Sequence, residues 1–319
     1  MLRIMTFNVR YFSHVGWARG LRSRPAGLVR IAEALAAASP PPDVVALQEV
    51  EGRSLRARPT LEKKGNQLGV LSEALDFALR AGRRDHRYRA TYHPAHIYRV
   101  GALRVYTTGL AFLVREGVEL ETSADTDITH RWLPGTERIK QTRICTHLRV
   151  GHEGGQTDLF NTHLSLPSFL SPRMLTRAEK MGYGENQLEE AKRVVHFVRA
   201  RTADPEQVVL MGDLNSVPTS PVLKLLRRSL QLRDAAAEGL GLGLSALEQE
   251  RPTFGALHLR KRLDHLLVGR GLRVGGVTSD RDFAPPWLEL SDHLPVLAAV
   301  EPGAQHGTSS PSDGGPFGP

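Results

Sequence analysis

Ten apolar runs of strand length recur along this chain between stretches of helical period, more strands than one sheet ordinarily holds. The runs are Leu2 to Val9, Asp43 to Val50, Tyr88 to Tyr92, Gly109 to Arg115, Thr142 to Val150, Asp158 to Leu164, Gln207 to Met211, Arg262 to Val268, Leu272 to Val277 and Pro295 to Val300. Helical spacing governs Leu28 to Ala38, then Leu68, Leu71, Leu75 and Leu79, and then Glu185 to Arg201, where Leu188, Ala191, Val195 and Val198 share a face. Ser220 and Pro221 supply an N-cap and a first-turn proline for a helix from Val222 to Arg228. Two packed sheets with helices outside satisfy this inventory.

The 319 residues, 40% of them hydrophobic, suffice for a substantial core. No run approaches the roughly 20 apolar residues that span a bilayer, so stable membrane insertion is not expected. The start, Met1-Leu2-Arg3-Ile4, turns polar by Thr6 and Asn8, which does not suit a signal peptide and makes a cytoplasmic address the default. A lone cysteine, Cys145, excludes an internal disulfide framework and a cysteine zinc cluster. The net charge of +8 suits an anionic partner, but 35 of the 42 basic residues are arginines scattered along the whole chain, so charge alone decides little. Residues 302–319, rich in Gly, Pro and Ser, read as a disordered tail behind a domain of residues 1–301. Glu51 to Gly65 reads as a surface insertion.

Strand after strand ends in a carboxylate, amide or imidazole: Asn8, Glu49, His163, Asp213 with Asn215, Asp264, and Asp292-His293 ahead of the last run. Strand ends on a rigid scaffold are where catalytic groups are presented. The segments Thr6-Phe7-Asn8-Val9, Leu47-Gln48-Glu49-Val50, Asn161-Thr162-His163-Leu164, Met211-Gly212-Asp213-Leu214-Asn215, Arg262-Leu263-Asp264-His265 and Ser291-Asp292-His293-Leu294-Pro295 together resemble the ordered motifs of the endonuclease/exonuclease/phosphatase superfamily. That superfamily holds deoxyribonuclease-I-like nucleases, abasic-site endonucleases, deadenylases, sphingomyelinases and inositol-polyphosphate phosphatases. Each motif is weak alone; six in order are specific.

The resemblance implies an α+β fold, a four-layer α/β/β/α sandwich of two packed mixed or antiparallel sheets. It also implies metal-dependent hydrolysis of a phosphate ester by in-line attack of water, without a covalent intermediate. Glu49 would be the principal ligand of Mg²⁺ or Mn²⁺, with Asn8 and Asp292 completing or orienting its shell, since hard cations prefer oxygen donors. Asp213 would activate the water, Asn215 hold it or the phosphate, His293 contact the phosphate with Asp264 fixing its tautomer, and His163 donate to a non-bridging oxygen. No Gly-x-Ser-x-Gly elbow offers a nucleophile instead.

Taken singly, each residue has a plainer explanation. Asn8, Asp213 and Asn215 could serve turns, Asp264 could pair with Arg262 at the surface, and His163 could be a core histidine. His14, His147, His152 and His265 match no motif, and a mid-chain supporting residue is open among His93, His96, Tyr98 and Tyr106. Phe169 and Trp287, next to His163 and Asp292 in sequence, could contact substrate or merely pack. A phosphodiesterase or nuclease acting as a monomer is the expected function. A phospholipid or sphingomyelin-type diesterase and a non-catalytic binding module are the alternatives.

Overall fold

The computed structural model describes residues 1–13, 22–60, 65–131, 141–152, 155–167, 180–256, 259–279 and 286–303. In chain order the elements are β1 (Leu2–Asn8), α1 (Pro25–Ala37), β2 (Val44–Val50), α2 (Gln67–Ala81), β3 (Tyr88–Val100), β4 (Leu103–Arg115), β5 (Glu119–Asp127), β6 (Ile144–His152) and β7 (Gly155–His163). They continue with α3 (Glu185–Arg201), β8 (Val208–Asp213), α4 (Pro221–Leu230), β9 (Arg233–Asp234), α5 (Ala235–Gly239), α6 (Leu244–Glu250), β10 (Phe254–Ala256), β11 (Leu259–Lys261), β12 (Asp264–Val268), β13 (Leu272–Ser279) and β14 (Val296–Pro302).

The strands form two six-stranded sheets, ordered β13-β14-β1-β2-β4-β3 and β5-β6-β7-β8-β12-β9, with β10 and β11 as a separate hairpin. Only β1 with β2 and β7 with β8 pair in parallel within these sheets. Side-chain alternation explains the layering. On β1, Leu2 and Ile4 face a cluster shared by both sheets, with Val44, Ala46, Leu159, Val209, Met211, Leu266 and Val268. The intervening Met5 and Phe7 face outward, onto Leu28, Ile31 and Leu35 of α1 and Leu68, Leu71 and Leu75 of α2. On the far side Phe160 and Leu210 pack against Val194 and Val198 of α3 and Leu223 and Leu226 of α4. The result is the α/β/β/α sandwich the resemblance implied.

Some limits differ from expectation. β3 and β4 run well past Tyr92 and back before Gly109, as a long antiparallel ribbon. β5 escapes a search for apolar alternation because its burial pattern has no fully buried residue. The segment after β2 is not wholly a surface insertion: Glu51, Ala57 and Thr60 are buried. Ser220 caps α4 through Leu223 N, as expected. Most of the expected tail, and Phe169, lie outside the described residues.

Candidate active site

The face of each strand that looks into the sandwich changes character along its length. On β1 the inward series runs Leu2, Ile4, Thr6, Asn8; on β7 it runs Leu159, Asn161, His163; on β8 it runs Val209, Met211, Asp213. Apolar residues fill the middle of the space between the sheets, and the polar residues close one end of it. Beneath that end, Gln48 Nε2 donates to Thr6 Oγ1 at 3.0 Å and to Asn161 Oδ1 at 2.8 Å, a buried polar bridge between the two sheets.

Glu49 would fall on the outer face by strict alternation. A register irregularity between Leu47 and Val50, with Glu49 at φ 58°, re-aims it toward the site. Bulges serve this purpose beside active sites. Past Asn8 and Val9, the chain after β1 runs through three successive residues with left-handed backbone, Arg10, Tyr11 and Phe12.

Six of the eight residues assigned to catalysis or metal binding are linked by direct contacts between their side chains. Asn8 Nδ2 donates to Asp213 Oδ2 at 3.0 Å and to Glu49 Oε1 at 3.3 Å. His163 Nε2 lies 3.4 Å and His293 Nε2 3.7 Å from Asp213 Oδ2. Asp264 Oδ2 holds His293 Nδ1 at 2.8 Å and accepts from Thr253 Oγ1 at 2.7 Å. Asp264 is therefore no surface partner of Arg262.

The other two are near but engaged. Asn215, at φ 44°, donates its amide to Leu164 O at 2.8 Å and its backbone N–H to Asp213 Oδ1 at 3.0 Å, so it braces the loop that carries Asp213. Asp292 Oδ2 pairs with Arg10 Nη1 at 2.6 Å, and the N–H of Arg10 occupies Asn8 Oδ1 at 2.9 Å. The loop of Asp292 and His293 is tied to the end of β1 by Ser291 Oγ, which donates to Asn8 O at 2.7 Å.

Electrostatics follows from this crowding. Burial raises Asp213, and the charge of Asp264 adds to it, against the pull of His293; its pKa reaches about 7. Burial works against the imidazolium of His293, but Asp264 and Asp213 outweigh it and raise the group to about 10. His163 is held well below the usual histidine range by its burial and by the charges of Arg143 and His293, and stays neutral.

Sequence motifs missed two neighbours. Arg143 is buried between Thr129 and β6, close enough to Glu190, Glu49 and Asp213 to sense their charges, and its Nε has no acceptor among the described residues. Phe254 lays its ring 5.0 Å from that of His293. Neither sits in a motif, and only the fold brings them here. Trp287 packs edge-on to Phe7, 5.9 Å between centroids, against the outer core. Of the mid-chain candidates, His93 is bonded to Asp125 at 2.7 Å and His96 to Thr142, while Tyr98 and Tyr106 stack on each other. His265 is bonded to Asp234 and to Ser216 O, as befits a structural histidine.

Asp213, Asp264 and His293 bring one ligand atom each within 4.8 Å of one another. The carboxylates so placed, with Glu49 alongside and Asp264 Oδ1 buried without a partner, are a donor set suited to a hard divalent cation.

A family model described as the endonuclease/exonuclease/phosphatase family matches residues 5–293. No curated protein matches the chain. Among solved structures, the human Nocturnin catalytic domain with bound sulfate is 18% identical, over 95% of this chain and 93% of that one, with a TM-score of 0.64. A mannosyl-6-phosphatase of Bacteroides thetaiotaomicron is 16% identical, over 94% and 99%, with a TM-score of 0.58. Truncated Caenorhabditis elegans TDP2 is 17% identical, over 94% and 97%, with a TM-score of 0.55. All three share the fold.

Proposed function

Because this chain belongs to the endonuclease/exonuclease/phosphatase family, we propose that the cluster between its sheets hydrolyses phosphate esters with the aid of a divalent cation, as a phosphodiesterase or nuclease. The observation that carries this reading is the meeting of Asn8, Glu49, His163, Asp213, Asp264 and His293 through direct contacts from strands of both sheets.

Glu49 would hold the cation, with Asn8 and Asp292 beside it, because among the described residues the Glu49 carboxylate is engaged only by the Asn8 amide. Mg²⁺ or Mn²⁺ would neutralise phosphate oxygens and favour attack by water. Asp213 takes a proton from that water, a task suited to a carboxyl whose pKa lies close to neutrality. Asp264 accepts from His293 Nδ1 and so turns the other N–H of the imidazolium toward Asp213 and the pocket, where it donates to a phosphate oxygen. Neutral His163 contributes one N–H, and Arg143 adds a positive charge where negative charge accumulates. Water as the nucleophile leaves no covalent enzyme intermediate.

The experiment is hydrolysis of DNA, RNA, sphingomyelin, inositol phosphates and a generic phosphodiester with Mg²⁺ or Mn²⁺, by the wild type and by Asp213→Ala. Removing a general base costs about 10²- to 10⁴-fold. EDTA is expected to abolish the activity. Turnover that survives both the substitution and EDTA would end the proposal. Preference for sphingomyelin would move the substrate to the phospholipid class.

A further inference from the structure

A second, strongly basic cavity opens from the loop that carries the site. Pro218 and Thr219 stand at its head, a few residues beyond Asp213 and Asn215, and its volume is about 800 Å³. Five cations line it: Lys224, Arg227 and Arg228 from α4, Arg233 from β9 and Arg270 from the turn between β12 and β13. No carboxylate lines it. Glu238 is engaged by Arg233, and Glu248 accepts from Thr219.

Arg233 is held by Glu238 and by the carbonyls of Gly269 and Leu272, but the other four cations are not there to satisfy the protein. Among the described residues Lys224, Arg227, Arg228 and Arg270 have no ion-pair partner, and the Nε of Arg227 has no acceptor. Residues 224, 227 and 228 share one helical face, where like charges repel. The last turn of α4 welcomes Arg227 and Arg228 through its dipole, but that does not account for Lys224 or for Arg270 arriving from another element.

We propose that this groove binds the phosphate backbone of a single nucleic-acid strand. This deepens the hydrolase reading, on which it rests, by naming the substrate class. A ten-residue helix is about 15 Å long, enough for more than one phosphate of a strand to lie alongside α4. A bilayer presents its phosphates on a plane and does not enter a groove. None of the exposed large hydrophobic residues lines this one, so it also lacks the apolar anchors of a membrane-binding face.

The test is fluorescence anisotropy of a labelled 20-nucleotide DNA strand with the full chain in EDTA, where binding is read without turnover. A groove triple, Lys224→Gln with Arg228→Gln and Arg270→Gln, is compared with a control triple of equal charge loss, Arg80→Gln with Arg84→Gln and Arg99→Gln. All six side chains are exposed. The groove triple is expected to weaken binding about tenfold or more and to flatten the slope of log affinity against log salt by about 2, from about 0.7 per lost contact. In the wild type, bound strand should shield Lys224 from acetylation while leaving Lys192 reactive, a measurement that needs no variant. Equal weakening by both triples, or no shielding of Lys224, overturns the proposal. So does inorganic tripolyphosphate that binds more tightly than the strand and is not displaced by it, since the groove would then serve a small polyphosphate. Groove binding without hydrolysis of any substrate would defeat the catalytic reading and leave this one standing.

Discussion

Asp234 shows how single residues away from the chemistry hold this fold together. Its Oδ1 caps α5 by accepting from the N–H groups of Ala236 and Ala237, and its Oδ2 holds His265 Nδ1 at 3.0 Å. Burial alone would raise such a carboxyl, but the hydrogen bond and charge of His265, with Arg262, lower its pKa to about 2. A group depressed in the folded state contributes stability above its unfolded pKa and loses it as pH falls through the folded value. Asp234→Asn is therefore expected to cost roughly 2 kcal/mol at pH 7, with the gap to wild type shrinking from about pH 4 down to about pH 2. Urea unfolding across that range reads it, and a gap that stays constant with pH would refute the assignment. The two catalytic-type histidines contrast instructively. His163 and His293 both neighbour Asp213, yet only His293 has a second carboxylate, Asp264, and so only His293 is held as a cation. The motif around Asp264 was visible in the sequence. Its partnership with His293, 29 positions away, was implied by the resemblance and not by any local pattern.

At the scale of elements, the site depends on how closely β7 and β8 approach. Gly212 sits at φ 136° in β8, and a Cβ built there would fall 1.9 Å from Thr162 O on β7. That distance is far inside contact, and the conformation suits only glycine. Gly212→Ala is expected to destabilise the fold by more than about 4 kcal/mol and to displace Asp213 and His163 together. Circular dichroism melting checks the first effect, and failure to lose stability would mean that the two strands can part. At the N-terminus of α4, Ser220→Ala should cost about 1 kcal/mol, because one capping bond is lost. The same scale explains which elements the sequence disclosed. β8, buried at every position, reads as an apolar run, and α3 carries a regular apolar face, so both were legible. β5 is an edge strand with no fully buried residue, and the far halves of β3 and β4 are partly exposed, so neither carries the periodicity that burial imposes. Glu49 was legible as a strand-end carboxylate, but its aim depends on a bulge that no local pattern announces.

For the whole molecule, the position of the site is itself a mechanical fact. Asn8 and Glu49 belong to one sheet, His163, Asp213 and Asp264 to the other, and the loop bearing Asp292 and His293 leads back into β14 of the first. The layers below are joined by apolar packing and by the Gln48 to Asn161 bridge. At the open end, four carboxylates, Glu49, Asp213, Asp264 and Asp292, gather with Arg143, Arg10 and His293 as the neighbouring positive charges. A divalent cation bound there would add a tie between the sheets and relieve the repulsion among these carboxylates, so it would bind the folded chain far better than the unfolded one. By mass action, a concentration ten times the dissociation constant would stabilise the protein by about 1.4 kcal/mol, and one hundred times by about 2.7 kcal/mol. For a chain of this size that is a rise of a few degrees in Tm, at roughly 2 °C per kcal/mol. Differential scanning calorimetry of the wild type with increasing Mg²⁺ or Mn²⁺ is expected to show it, and Glu49→Gln to abolish it while leaving the Tm in EDTA within a degree or so. If the variant keeps the full metal-dependent rise, the cation is held elsewhere, and Glu49 loses the role that its place at the end of β2 suggests.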